Sequence, residues 1–142
     1  MKVTTNPTIK VITNVHAPVQ KVWESWTTPE HITQWNAATP EWHTPKAEND
    51  LRVGGALKYR MESKDGSMGF DFEGVYTSVE PYSYMAYTIA DGRKVQVHFK
   101  ETGNVTAIEE IFEAESTHSL DMQQMGWQAI LNNFKDYTEA LL

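Results

Sequence analysis

The chain has 142 residues, no cysteine, and a formal charge of −7 from 12 basic and 19 acidic side chains. That length fits one domain, residues 1–142, able to bury a core without covalent staples. The acidic balance argues against nucleic acid and anionic membranes as partners, and the missing cysteines exclude disulfides, zinc–thiolate sites and cysteine nucleophiles together.

The N-terminal MKVTTNPTIK has no apolar segment long enough for a signal peptide. No stretch approaches the roughly 20 apolar residues of a membrane span. A soluble cytoplasmic protein is expected, and the lack of cysteine suits a reducing compartment.

Residues 8–15 alternate Ile9, Val11, Thr13 and Val15 against Lys10 and Asn14, which predicts a strand. His16-Ala17-Pro18 ends it, and Pro18 suits the first turn of a helix. Val19, Val22, Trp23 and Trp26 then fall on one helical face that closes near Thr27. Thr28-Pro29-Glu30 starts a second short helix: Thr28 as N-cap, Pro29 at N1, Glu30 on the positive dipole end. Ile32 and Trp35 form its buried side. Residues 36–49 carry two prolines and little periodicity, and read as a long loop.

From residue 51 to 113 the period is two. Leu57, Tyr59 and Met61 alternate with Lys58, Arg60 and Glu62, after a Gly54-Gly55 pair that marks a bulge or close backbone approach. Lys64-Asp65-Gly66 turns the chain, and Phe70, Phe72 and Tyr76 alternate with Asp71 and Glu73. Met85, Tyr87 and Ile89 follow Pro81; Asp91-Gly92 is a hairpin signal; Val95, Val97 and Phe99 continue. Gly103-Asn104 turns into a last strand over 105–113.

The stretch from Ser119 onward has the strongest helical period in the chain. Trp127, Ile130, Phe134, Tyr137 and Leu141 share one face, with Gln124, Gln128, Lys135 and Glu139 opposite. Ser119 is the expected N-cap, and Asp121 sits in the first turn. The order is β-αα-βββββ-α. The expected fold is α+β, a six-stranded curved antiparallel sheet whose apolar face is covered by the long C-terminal helix.

This order and its residues resemble the START-like superfamily, also called SRPBCC or Bet v-like, with its helix-grip fold. Within it the chain is similar to the family named for the activator of the heat-shock-protein-90 ATPase. The resemblance runs from residue 9 to about 140. It rests on Ala17-Pro18, Val22-Trp23 and Trp26; on Thr28-Pro29-Glu30 and Trp35; and on Val53-Gly54-Gly55. It continues through Phe72-Glu73-Gly74, Val79-Glu80-Pro81 and Glu110-x-Phe112, and ends in Met122-Gln123-Gln124-x-Gly126-Trp127 with Ile130-Leu131 and Asn133-Phe134.

The resemblance implies a cavity between helix and sheet, in which many superfamily relatives bind apolar or amphipathic small molecules. Some relatives are cyclases or hydrolases, and others assist a chaperone. The ligand-binding candidates are Tyr59, Met61, Phe70, Phe72, Met85, Tyr87, Val97 and Phe99, facing Trp127, Ile130 and Phe134. Gln123, one turn before Trp127, would point a polar group into the cavity mouth.

Glu109 and Glu110 face opposite sides of the last strand, and periodicity does not decide which points inward. The Glu-x-Phe match selects Glu110. A carboxyl buried there would have a raised pKa and could serve as acid or base.

The five histidines, His16, His31, His43, His98 and His118, show no metal-ligand spacing. No GxSxG elbow or phosphate loop is present. No metal and no cofactor are expected. The leading expectation is a module that binds a small hydrophobic molecule. An enzyme on the same cavity and a chaperone-interacting module are its alternatives, and a protein partner or homodimer stays open.

Overall fold

A computed structural model describes residues 7–141; residues 1–6, part of the stretch read above for a signal peptide, and Leu142 lie outside them. The elements are β1 (Thr8–Val15), α1 (Val19–Thr27), α2 (Pro29–Trp35), β2 (Trp42–Asn49), β3 (Ala56–Ser63), β4 (Gly69–Glu80), β5 (Tyr84–Ile89), β6 (Lys94–Thr102), β7 (Val105–Glu113) and α3 (Leu120–Ala140). All strand pairs are antiparallel, in the order β1-β7-β6-β5-β4-β3-β2. The two short helices carry the chain from one edge strand to the other.

The sheet therefore has seven strands, not six. The extra one, β2, occupies the stretch expected to be a loop. Its period is hidden because its register shifts between His43 and Lys46, around Pro45. Proline removes a ladder donor, so it is tolerated at an edge or a bulge, and here it has both.

The inner face is apolar and the outer face charged, as the period of two dictates. Leu57, Tyr59, Met85, Tyr87, Val95, Val97, Phe99, Ile108 and Phe112 are buried. Outside, Lys58 and Arg60 lie within 3.9 Å of Asp71, and Lys58 lies as close to Glu73. The two glycines at 54 and 55 pair with β4 through Gly54 N–H to the Tyr76 carbonyl and Tyr76 N–H to the Gly55 carbonyl, both 2.9 Å. A Cβ on Gly55 would collide with the Asp50 carbonyl. This close approach abuts the β4 bulge between Tyr76 and Ser78.

Helix α3 is capped as expected: the Ser119 hydroxyl accepts from Met122 N–H at 3.1 Å. Its roll about its axis differs from the expected stripe. The buried line is Gln123, Leu131, Phe134 and Thr138, while Trp127, Ile130 and Tyr137 are half-buried and Leu141 is exposed.

The reason lies at the edge of the sheet. Among the described residues β1 pairs only with β7, which leaves alternate carbonyls on its other side. Gln128 Nε2 donates to Ile12 O at 3.0 Å, Lys135 Nζ to Asn14 O at 2.7 Å, and Gln124 Nε2 reaches Lys10 O at 3.5 Å. The flank expected to face solvent instead satisfies a strand edge.

Candidate functional site

Helix α3 follows the β1 edge and stands away from β3, β4 and β5. A cavity of about 150 Å³ remains between them. Tyr59, Met61, Phe70, Phe72, Tyr76, Met85, Tyr87 and Glu110 rise from the sheet; Trp127, Ile130 and Leu131 come from α3; Trp26, Trp35 and Asn36 close one end. Phe70 is 47% exposed, and Met61 and Ile130 are half-buried, so these three mark the mouth.

The walls are fixed by ring-on-ring packing. Trp127 stacks on Phe112 of β7 with centroids 3.8 Å apart and meets Phe72 edge-on at 6.2 Å. Phe72 in turn lies 6.1 Å from Tyr59 and 6.4 Å from Tyr87. At the closed end, Trp26 and Trp35 pack edge-on against Phe134 at 4.8 and 4.9 Å. The Trp35 indole N–H is committed to the Ser25 carbonyl at 3.0 Å.

The polar groups are few. The Tyr76 hydroxyl donates to Asn49 Oδ1 at 2.6 Å, and the Asn36 amide donates to the Thr44 hydroxyl at 3.1 Å. Burial raises the pKa of Tyr59, Tyr76 and Tyr87, which keeps all three phenols protonated.

Glu110 is 7% exposed, and its pKa is raised to about 8 by burial alone. Its cross-strand neighbours on the inner face are Val11 and Val97. Among the described residues it has no hydrogen-bond or ion-pair partner, and no Lys, Arg or His lines the cavity. Glu109, by contrast, points outward to Lys10 at 3.7 Å.

Eight of the twelve ligand-binding candidates line this space: Tyr59, Met61, Phe70, Phe72, Met85, Tyr87, Trp127 and Ile130. The other four do not. Phe99 shares the same inner face but lies beneath helix α1, where Trp23 and Trp26 meet it at 5.2 and 5.6 Å. Val97 is wholly buried between its cross-strand neighbours Met85 and Glu110 and does not line the space. Phe134 is wholly buried between Trp26 and Trp35.

Gln123 is a fastener in place of a mouth residue. Its carbonyl accepts from Glu115 N–H at 2.9 Å, and its amide donates to the carbonyls of Glu115 and His118 at 3.0 and 2.9 Å. It ties the turn after β7 to the first turn of α3.

Trp26, Trp35, Asn36, Tyr76 and Leu131 were not among the candidates. Tyr76 was the most accessible of them, since it continues the alternation of Phe70 and Phe72. Trp26 and Trp35 show only the apolar spacing of any packed helix.

Among the described residues, no group of three or more His, Asp or Glu could hold a metal ion, and no helix is long and apolar enough to cross a membrane.

The family model described as Activator of Hsp90 ATPase homolog 1-like protein matches residues 16–139. Among solved structures, the chain is similar to the AHSA1-like protein from Aeromonas hydrophila, at 41% identity and a TM-score of 0.89, covering 95% of this chain and 94% of that one. It is also similar to a Cytophaga hutchinsonii protein solved in solution, at 50% identity and a TM-score of 0.79, covering 96% and 93%. A Chromobacterium violaceum protein, at 20% identity and a TM-score of 0.84 over 94% and 98%, shares the fold. No curated protein sequence matches the chain.

Proposed function

The chain belongs to the Activator of Hsp90 ATPase homolog 1-like family, and from that premise we propose that it is a binding module for a small hydrophobic or amphipathic molecule. The observation that carries this reading is a largely apolar space of about 150 Å³ with a mouth at Met61, Phe70 and Ile130. A cavity of that order takes up a guest the size of a single aromatic ring. The surrounding aromatic faces supply most of the contact area, and the tyrosine hydroxyls orient the guest.

The test is native mass spectrometry of the protein purified from its own host, with toluene added in parallel and read by amide chemical shifts. A retained small molecule, or toluene shifts confined to cavity residues, supports the reading. A bare protein whose cavity amides ignore toluene overturns it.

A second reading, an enzyme on the same cavity, draws on Glu110. A neutral buried carboxyl can act as a general acid at neutral pH. It requires a substrate turned over by the wild type and untouched by Glu110→Gln. The lack of cysteine supports a reducing, cytoplasmic setting, which fractionation of host cells tests.

A further inference from the structure

A buried carboxyl without a partner needs a reason. Burying it is unfavourable, because no described group replaces the water it gives up. The cavity does not need Glu110 to donate a hydrogen bond to a ligand, because Tyr59 and Tyr87 already bring protonated hydroxyls to the same walls. What only Glu110 can contribute is a negative charge.

The described groups facing it offer nothing to neutralise that charge. Val11 comes from β1 and Val97 from β6; β3, β4 and β5 bring Tyr59, Tyr76 and Tyr87, all uncharged; α3 brings Trp127, Ile130 and Leu131. With no Lys, Arg or His among the described residues of the lining, a fatty acid or other anionic ligand finds no counter-ion there and meets a carboxyl instead. A cation finds both a counter-ion and aromatic faces, whose negative quadrupoles attract it.

We propose that the ligand of this cavity carries a protonated amine on an apolar body of about one aromatic ring, with the carboxylate of Glu110 as its counter-ion. This rests on the cavity-binding reading above and narrows it to one class of ligand. Binding proceeds with loss of a proton: the neutral carboxyl of the free protein releases H⁺ to solvent, and the carboxylate pairs with the ammonium that enters. Affinity for the amine therefore rises with pH until the carboxyl of the free protein is ionised, near pH 8. A ligand that accepts a hydrogen bond from the neutral carboxyl shows the reverse, with affinity falling above that pH.

The experiment uses three probes of matched size: benzylamine, benzyl alcohol and toluene. Binding to the full chain is followed by amide shifts and by calorimetry at pH 7 in two buffers of different ionisation enthalpy. The expected result is that benzylamine binds at least about tenfold tighter than either neutral probe, a difference of ~1.4 kcal/mol, with close to one proton released. Glu110→Gln should bring benzylamine down to the level of benzyl alcohol and leave toluene within about twofold. The proton count is read on the wild type, so it decides the matter even if the variant folds poorly. If toluene or benzyl alcohol binds as tightly as benzylamine, or benzylamine binds without proton release, the amine inference is overturned while cavity binding stands. If none of the three shifts the cavity amides, cavity binding itself is overturned.

Discussion

Glu110→Gln isolates the effect of one buried charge on the whole fold. An amide closely matches the neutral carboxyl in shape, so packing around Phe112 and Trp127 is left alone. In the folded chain burial holds the Glu110 carboxyl neutral up to about pH 8, against an ordinary 4.5. Between those values the folded state keeps a proton that the unfolded state has lost. Stability of the wild type therefore falls as pH rises through that window and levels off above it. Each tenfold change in proton affinity is worth about 1.4 kcal/mol, which makes the full loss about 3–5 kcal/mol. That is a large share of the ~5–15 kcal/mol typical of a domain. The variant carries no such penalty. Urea unfolding of both chains from pH 5 to 9 should give equal stabilities near pH 5 and a gap of about 3–5 kcal/mol in favour of the variant above pH 8. A ¹³C titration of the Glu110 carboxyl should show a midpoint near 8. Parallel stability curves, or a midpoint in the ordinary carboxyl range, would refute the reasoning.

The hydroxyls of Ser25 and Thr138 are buried with no hydrogen-bond partner among the described residues. Ser25→Ala and Thr138→Val should therefore raise stability by about 1 kcal/mol each, and a loss in thermal unfolding would contradict this. Gln128→Ala frees the Ile12 carbonyl at the sheet edge; it should cost about 1 kcal/mol and speed hydrogen exchange in β1 relative to β6, whereas a uniform change would count against a local role. The Glu139 carboxyl is held near pKa 2 by the Lys135 ammonium at 2.7 Å and by the His16 backbone N–H at 2.8 Å. Its contribution is complete above the ordinary carboxyl pKa and is lost as pH falls toward 2. The stability difference between the wild type and Glu139→Gln should shrink over that window, and a difference that stays constant would rule the pairing out as its source.

What could be read from the sequence was what a period of two or of 3.6 encodes. The alternation of Tyr59, Phe72, Tyr87 and Val97 placed each on the inner face, and each is there. Alternation says which face a residue occupies and not what lies above it. Phe99 sits under helix α1, whereas Tyr59 and Tyr87 sit under open space, and no local pattern separates them. The ambiguity between Glu109 and Glu110 had the same origin. It is resolved by register, because Glu110 pairs with Val11 and Val97 on the covered side while Glu109 pairs with Ile12 and His98. β2 was illegible for a different reason. A strand with Pro45 at a register shift has no period to detect, and its role as an edge becomes visible only from the order of the sheet.

The location of the cavity follows from how α3 is held. Its polar flank is bound to the carbonyls of β1, and Trp127 is stacked on Phe112 one strand further in. Both anchors lie at the β1–β7 end of the sheet. At that end Val11, Val15, Phe112 and Phe134 are almost completely buried, and the interior is filled. Toward β3 and β4 the helix has no comparable anchor among the described residues: Phe72 meets Trp127 only edge-on at 6.2 Å, and Phe70 is left nearly half exposed. A gap there is what a helix pinned to one edge of a curved sheet leaves behind. Glu110 stands on the last anchored strand, two residues before the Phe112 that carries the Trp127 stack. Its carboxyl therefore borders the gap while its backbone belongs to the rigid end. A rigid mount for the single carboxyl of a cavity fits an oriented, charge-specific contact better than filler. It also explains how the fold tolerates the destabilising group, since the dense β1–β7 packing beside it supplies the stability that Glu110 takes away.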